Sequence, residues 1–314
     1  MADEFKTHIL EMSDQHKIFC YKWAPGILKS TKGIVLILHG MAEHARRYQL
    51  FAHSLTKEGY LVFAYDQRGH GQTGTQSKSL GFFGPENGWA RLVKDVDEVI
   101  AEIRTHNGIK PLFLLGHSMG SFVAQSYAGL FGEKLSGLVL SGTSWEPALS
   151  LAAGKTVAKL FSKFFGKQSK GSFLQNIIFG GYNSKIKHAK TDFDWLSCDP
   201  QTVKMYIADH LCGFTCTNQF FVDLFSGIRH ATSKSNISNI PGSLPVLFFS
   251  GLEDPLNRKG SSINKMANIY QNAGVQTVDI KLYPGKRHET LNEIGREEIF
   301  QDIISWLNTH CTSV

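Results

Sequence analysis

What the 314-residue chain lacks narrows it before anything it contains. Its longest apolar run, 33–38, falls far short of the roughly 20 residues a membrane-spanning helix needs. The opening MADEFKTHILEMSDQHK carries acids and lysines where a secretory leader carries an apolar block, so a cytosolic or peripheral location is expected. The cysteines, Cys20, Cys198, Cys212, Cys216 and Cys311, are odd in number and lack paired zinc-ligand spacing. Cys212 and Cys216 could face the same way on a helix, but Phe214 and their apolar flanks make buried free thiols the expectation there, and no metal is assigned. No repeat of fixed period occurs, and proline and glycine are spread along the chain rather than gathered into a linker. One body with insertions follows.

One further absence is local. Residues 147–191 contain no Asp or Glu but eight lysines. The formal charge of +6 is concentrated around this stretch, since 146–240 holds eleven basic and six acidic residues. The remainder of the chain is close to neutral, which argues against a broad nucleic-acid surface, and no nucleic-acid-binding module accompanies the lysines.

Short β-branched and apolar runs at 33–38, 60–65, 111–115, 138–141, 245–250 and 278–283 read as buried strands. Segments with apolar residues three and four apart, at 47–57, 88–105, 119–131, 260–272 and 297–308, read as the helices between them. With an antiparallel leading hairpin at 5–12 and 17–23, the count is eight strands. Such alternation predicts an α/β fold: a mostly parallel sheet flanked by helices. The rhythm breaks only between Ser144 and Pro245, a gap too long for a βα connection and too apolar for a loop. A helical cap inserted between strands 6 and 7 is expected, giving core 1–144, cap 145–243 and core 244–314.

Gly116-His117-Ser118-Met119-Gly120 is a G-x-S-x-G pentapeptide, weak evidence alone but set between a strand and a helix. A serine at such a turn needs small flanking residues, because the strained backbone brings neighbouring chain close. Its hydroxyl also needs a base and an orienting acid. His288 lies in the loop after the last strand. Asp254 follows the strand at 245–250, with Glu253 the adjacent alternative. The chain order Ser118, Asp254, His288 is that of an α/β-hydrolase. His39-Gly40-Met41 ends the first parallel strand, where one oxyanion-hole N–H should arise, and the N–H of Met119 is the expected second donor. The glycine-rich turn after Asp66 lacks the Gly-Lys-Ser/Thr of a phosphate loop, and bracing beside the site is its better account.

From about 34 to 307 the chain resembles the monoacylglycerol lipase and lysophospholipase branch of the α/β-hydrolases. The stretches that carry the resemblance are LILHGMAEHARRY, AYDQRGHGQT, ENGWARLVKDVDEVI, LLGHSMGS, TDFDWLSCD, IADHLCGF and GKRHETLNEIGREEIFQDIISWL. The resemblance implies Ser118 as nucleophile, Asp254 and His288 as its partners, Met41 and Met119 as oxyanion donors, no cofactor, and a monoacylglycerol or lysophospholipid substrate. It is slight over 155–181.

Lys155, Lys159, Lys163 and Lys167 recur every four residues on one side of a helix, with Val157, Leu160, Phe161, Phe164 and Phe165 on the other. Such a helix suits contact with an anionic membrane, but plain packing on the body with its lysines in water is slightly favoured. Phe161, Phe164, Phe165, Ile178 and Phe179 are the candidate acyl-chain lining, each buried methylene contributing roughly 0.8 kcal/mol. A short-chain carboxylesterase, a thioesterase or a serine aminopeptidase would use the same triad. A non-catalytic binding protein on this fold would show a broken one.

Overall fold

Strands that are apolar on both faces must be covered from both sides, and those at 33–38, 60–65, 112–117, 137–141 and 246–251 are. The strand at 278–283, expected to be buried, is instead an edge strand exposed at 279–281. The computed structural model describes residues 4–26 and 31–311. Its strands are β1 (Glu4–Glu11), β2 (Lys17–Ala24), β3 (Gly33–Leu38), β4 (Tyr60–Tyr65), β5 (Leu112–His117), β6 (Gly137–Ser141), β7 (Val246–Gly251) and β8 (Val278–Tyr283). They form one sheet in the order β1-β2-β4-β3-β5-β6-β7-β8. Only the β1–β2 and β2–β4 pairings are antiparallel. β5 runs two residues beyond the end expected from the apolar run, because Gly116 and His117 still pair with Leu140 and Ser141 of β6.

The helices are α1 (Gln49–Lys57), α2 (Gly71–Gln76), α3 (Gly88–Asn107), α4 (Met119–Phe131), α5 (Ala148–Phe165), α6 (Ser172–Phe179), α7 (Pro200–Ala208), α8 (Asn218–Ala231), α9 (Lys234–Ser238), α10 (Ser261–Asn272) and α11 (Arg296–His310). Strand periodicity divides the core in two. Ile34, Leu36 and Leu38 join one cluster with residues of α3, α4, α8 and α10. Val35 and Ile37 join the other with residues of α1 and α11.

The helices between β6 and β7 are of two kinds. α8 and α9 pack on α4, and Phe220, Phe221 and Leu224 of α8 share the core of α3 and α4. They serve as a layer of the body. Beyond them, Trp195, Leu196, Tyr206 and Cys212 form a separate small cluster with Phe179, Tyr182 and Phe193. This second cluster lies at the carboxyl ends of the parallel strands, the edge where open α/β sheets gather their functional groups.

Candidate active site

The turn from β5 to α4 holds Ser118 at φ 50° and ψ −119°, a conformation that a residue with a side chain rarely adopts. Space explains its neighbours. A Cβ on Gly116 would lie 2.3 Å from the Gly120 carbonyl oxygen, and one on Gly120 would lie 2.3 Å from that of Leu38. The Ser118 N–H donates to the Ser141 carbonyl at 2.9 Å, tying the turn to β6.

Asp254 and His288 come from the loops after β7 and β8. His288 Nδ1 is 2.8 Å from Asp254 Oδ2, and both side chains are buried. The Leu256 N–H donates to Asp254 Oδ1 at 2.9 Å, and the Ser250 hydroxyl to Oδ2 at 3.3 Å, so the carboxylate is held from two further directions. Glu253 is exposed, which leaves it without this role. Burial on its own would lower the His288 pKa, but the charge and hydrogen bond of Asp254, with Glu289 and Glu43 nearby, raise it above the ordinary histidine value. The Trp195 ring lies 4.9 Å from the imidazole, and His117 lies 4.8 Å away. His117 is pushed down to about 3, by burial first and then by His288, and is therefore neutral.

Ser118 and His288 line one cavity of about 300 Å³ with Met41, Phe179, Trp195 and Tyr206. Met119 is the first residue of α4, so its N–H belongs to the helix turn that has no acceptor within the helix. Gly40 brings the other expected donor close, since a Cβ there would be 3.2 Å from Ser118 Cβ. The turn is braced from behind. His39 accepts from the Gln67 N–H at Nε2 (2.9 Å) and so carries its proton on Nδ1, 2.7 Å from the Gly40 carbonyl. Asp66 accepts from the N–H groups of Ala45 and Gln72, which accounts for the glycine-rich turn without a phosphate.

Of the five apolar residues expected to hold an acyl chain, only Phe179 lines this cavity. Phe164 and Phe165 are 73% and 64% exposed. Phe161 stacks on Phe173 at 4.9 Å, and Ile178 packs against the main core. Helical spacing puts residues on a common side without saying what that side meets. Lys155, Lys159, Lys163 and Lys167 line a larger groove of about 1200 Å³ against α3 and α8, which does not include Ser118.

Sequence reasoning missed one buried network. Arg47 donates to Glu43 Oε2 at 2.6 Å and to both carboxylate oxygens of Glu289 at 2.6 Å. Glu43 Oε1 in turn accepts from the Gly40 N–H and the Tyr48 hydroxyl. The acids lie inside stretches already noted, HGMAEH and RHET, but nothing local pairs them. Among the described residues, one group of His, Cys and acidic side chains brings donor atoms within 4.8 Å of one another: His44, Asp209 and Cys212.

A strained serine at a helix N-terminus, sharing a cavity with a buried His–Asp pair, is equipped for acyl transfer. Comparison with known proteins gives this chemistry a family. The family model described as serine aminopeptidase, S33, matches residues 29–295. The chain belongs to this family of the α/β-hydrolase superfamily. The chain is 27% identical to a monoacylglycerol lipase of Mycolicibacterium smegmatis, covering 92% of this chain and 91% of the relative. It is 26% identical to the monoglyceride lipase of Mus musculus, covering 96% and 89%. A thermostable carboxyl esterase of Bacillus coagulans, solved with glycerol, superposes with a TM-score of 0.90 at 28% identity over 98% of this chain and 99% of the esterase. This S33-family member is a serine hydrolase of the monoglyceride lipase and esterase group with the α/β-hydrolase fold.

Proposed function

We infer that the protein hydrolyses single-chain lipid esters of the monoacylglycerol or lysophospholipid type. The observation that carries the reading is the buried Asp254–His288 pair opening onto the same cavity as Ser118. His288 takes the Ser118 proton as the hydroxyl attacks the ester carbonyl, and Asp254 holds the imidazole in orientation. The N–H groups of Met41 and Met119 stabilise the oxyanion, each by about 3 kcal/mol. His288 then protonates the departing alcohol, and water, activated by the same imidazole, releases the fatty acid from Ser118. The relatives named for monoacylglycerol cleavage support the substrate class.

The cap also supports contact with a lipid surface. Val157, Leu160 and Phe164 of α5 and Phe173 and Ile177 of α6 are all exposed, and Lys159 and Lys163 flank them. An apolar edge with lysines beside it suits the boundary of an anionic bilayer. Among the described residues no helix is long and apolar enough to cross one.

One observation favours a second reading. Asp192 lies on the cavity wall, where a carboxylate can hold a substrate ammonium, as an aminopeptidase requires. Turnover of monoacylglycerols, of p-nitrophenyl esters from acetate to palmitate, and of aminoacyl amides separates the two. The lipid reading expects monoacylglycerols and longer acyl esters to be preferred. A preference for acetate alone, or for amides, overturns it.

A further inference from the structure

His44, Asp209 and Cys212 take no part in the ester chemistry, and they come from opposite sides of a junction. His44 follows the oxyanion-donor turn of the body, whereas Asp209 and Cys212 belong to the loop leaving α7. His44 Nε2 is 2.8 Å from Asp209 Oδ2. The Leu211 N–H donates to Asp209 Oδ1 at 2.9 Å and fixes the carboxylate. The Cys212 N–H donates to the Asp209 carbonyl at 2.9 Å, folding the loop so that the thiol returns to the carboxylate. The Tyr206 hydroxyl and the Gly213 N–H both donate to the Ala42 carbonyl at 2.9 Å, clamping the loop onto the turn on either side of the cluster.

Acidic groups lie close to the Cys212 thiol, although the cleft outside also carries Arg46 and Arg296. Glu43, Glu289 and Arg47 together carry one net negative charge, Asp209 adds another, and Cys212 lies within the field of all four. Imidazole nitrogen, carboxylate oxygen and sulfur are the donor types of a tetrahedral transition-metal site, and they lie mutually within 4.8 Å, so small side-chain shifts are needed for all three to reach one ion at bond lengths of about 2.0–2.3 Å. Calcium or magnesium would call for a shell of oxygens. Asp209 is one-third exposed, and His44 and Asp209 line an open surface cleft, which leaves an entry path and a fourth position for water.

We propose that His44, Asp209 and Cys212 form a binding site for a zinc-type divalent ion that joins the cap loop to the oxyanion-donor turn. On ligation the Cys212 thiol gives its proton to solvent, and His44 coordinates through Nε2 with its own proton on Nδ1. The metal takes the place of the hydrogen bond now linking His44 and Asp209. The proposal stands apart from the substrate reading, because its test needs no turnover.

The test is a titration of the full-length, chelator-treated protein with Co²⁺, followed by Zn²⁺. The expected result is a thiolate-to-cobalt charge-transfer band saturating at one equivalent, displaced by Zn²⁺, with affinity at least about tenfold weaker in Cys212→Ser and Asp209→Asn. Absence of the band, or an equal band in Cys212→Ser, overturns the proposal. Should the variants fail to fold, alkylation of Cys212 in the unaltered chain, followed by peptide mass spectrometry, decides alone. Zn²⁺ is expected to slow it, and an unchanged rate overturns the site.

Discussion

Arg47 grips both carboxylate oxygens of Glu289, at 2.6 Å each, and Glu289 is the residue that follows His288. The same guanidinium binds Glu43, whose other oxygen holds the Gly40 N–H of the oxyanion-donor turn. One largely buried cation thus fixes two loops that reach the site from opposite ends of the chain. Misplacement of either by about 1 Å can cost a hundredfold in rate.

Replacing Arg47 by methionine tests that link. It leaves two buried carboxylates unpaired, a loss of about 3–5 kcal/mol for a broken buried pair. Both acids already raise the His288 pKa, so the acid limb of kcat/KM is expected to move further up as kcat falls about a hundredfold. A pH–rate profile with a thermal melt checks both. An unmoved limb would show that Arg47 serves stability only.

The pH dependence of the unaltered protein follows from the same imidazole. His288 must be neutral to accept the Ser118 proton, and its pKa is raised, so kcat/KM should climb with pH through a value above the ordinary 6.5. In Asp254→Asn the dominant opposing influence, burial, is left in place, so the limb should move down while kcat drops about 10⁴-fold. The stability consequence has the opposite sense. Because the folded pKa exceeds the unfolded one, the His288–Asp254 contribution is full below the ordinary histidine value and is lost as pH rises through the raised value. Denaturant midpoints across that window measure it.

Gly120→Ala should destabilise the fold. The new methyl group would meet the carbonyl oxygens of Leu38 at 2.3 Å and His39 at 2.6 Å, backbone atoms that cannot rotate away. Overpacking of this kind costs about 1–3 kcal/mol, read as a lowered Tm. An unchanged Tm would mean that the β3 and β5 ends separate more easily than their packing indicates.

Contact of the cap with lipid predicts that Leu160→Glu combined with Phe164→Glu weakens co-sedimentation with anionic vesicles more than Lys155→Glu combined with Lys159→Glu. The first pair removes exposed apolar area, about 25 cal/mol per Å² of burial, whereas the second pair lines the groove beside α3 and only its Lys159 also borders the apolar edge. Equal binding by all variants would remove the lipid surface from the account.

What the sequence made legible was whatever local pattern carries. Ser118 was marked by two glycines and a strand-to-helix change, and Asp254 and His288 by their places after strands. Short apolar, β-branched runs located the parallel strands, though Gly116 and His117 hid the end of β5. The Arg47–Glu289 bond spans 242 residues, so no periodicity could announce it. For Phe164 and Phe165 the spacing identified a common side of α5 but not its exposure. That depends on α6 and α8, whose packing no stretch of α5 encodes. Trp195 lies within TDFDWLSCD, but its tilted ring contact with His288 is a tertiary one.

The most direct test of the central claim is labelling with a fluorophosphonate, followed by peptide mass spectrometry of the adduct. A single adduct on Ser118, lost in Ser118→Ala and slowed in His288→Ala, is the predicted result. No adduct, or equal labelling of Ser118→Ala, would contradict it.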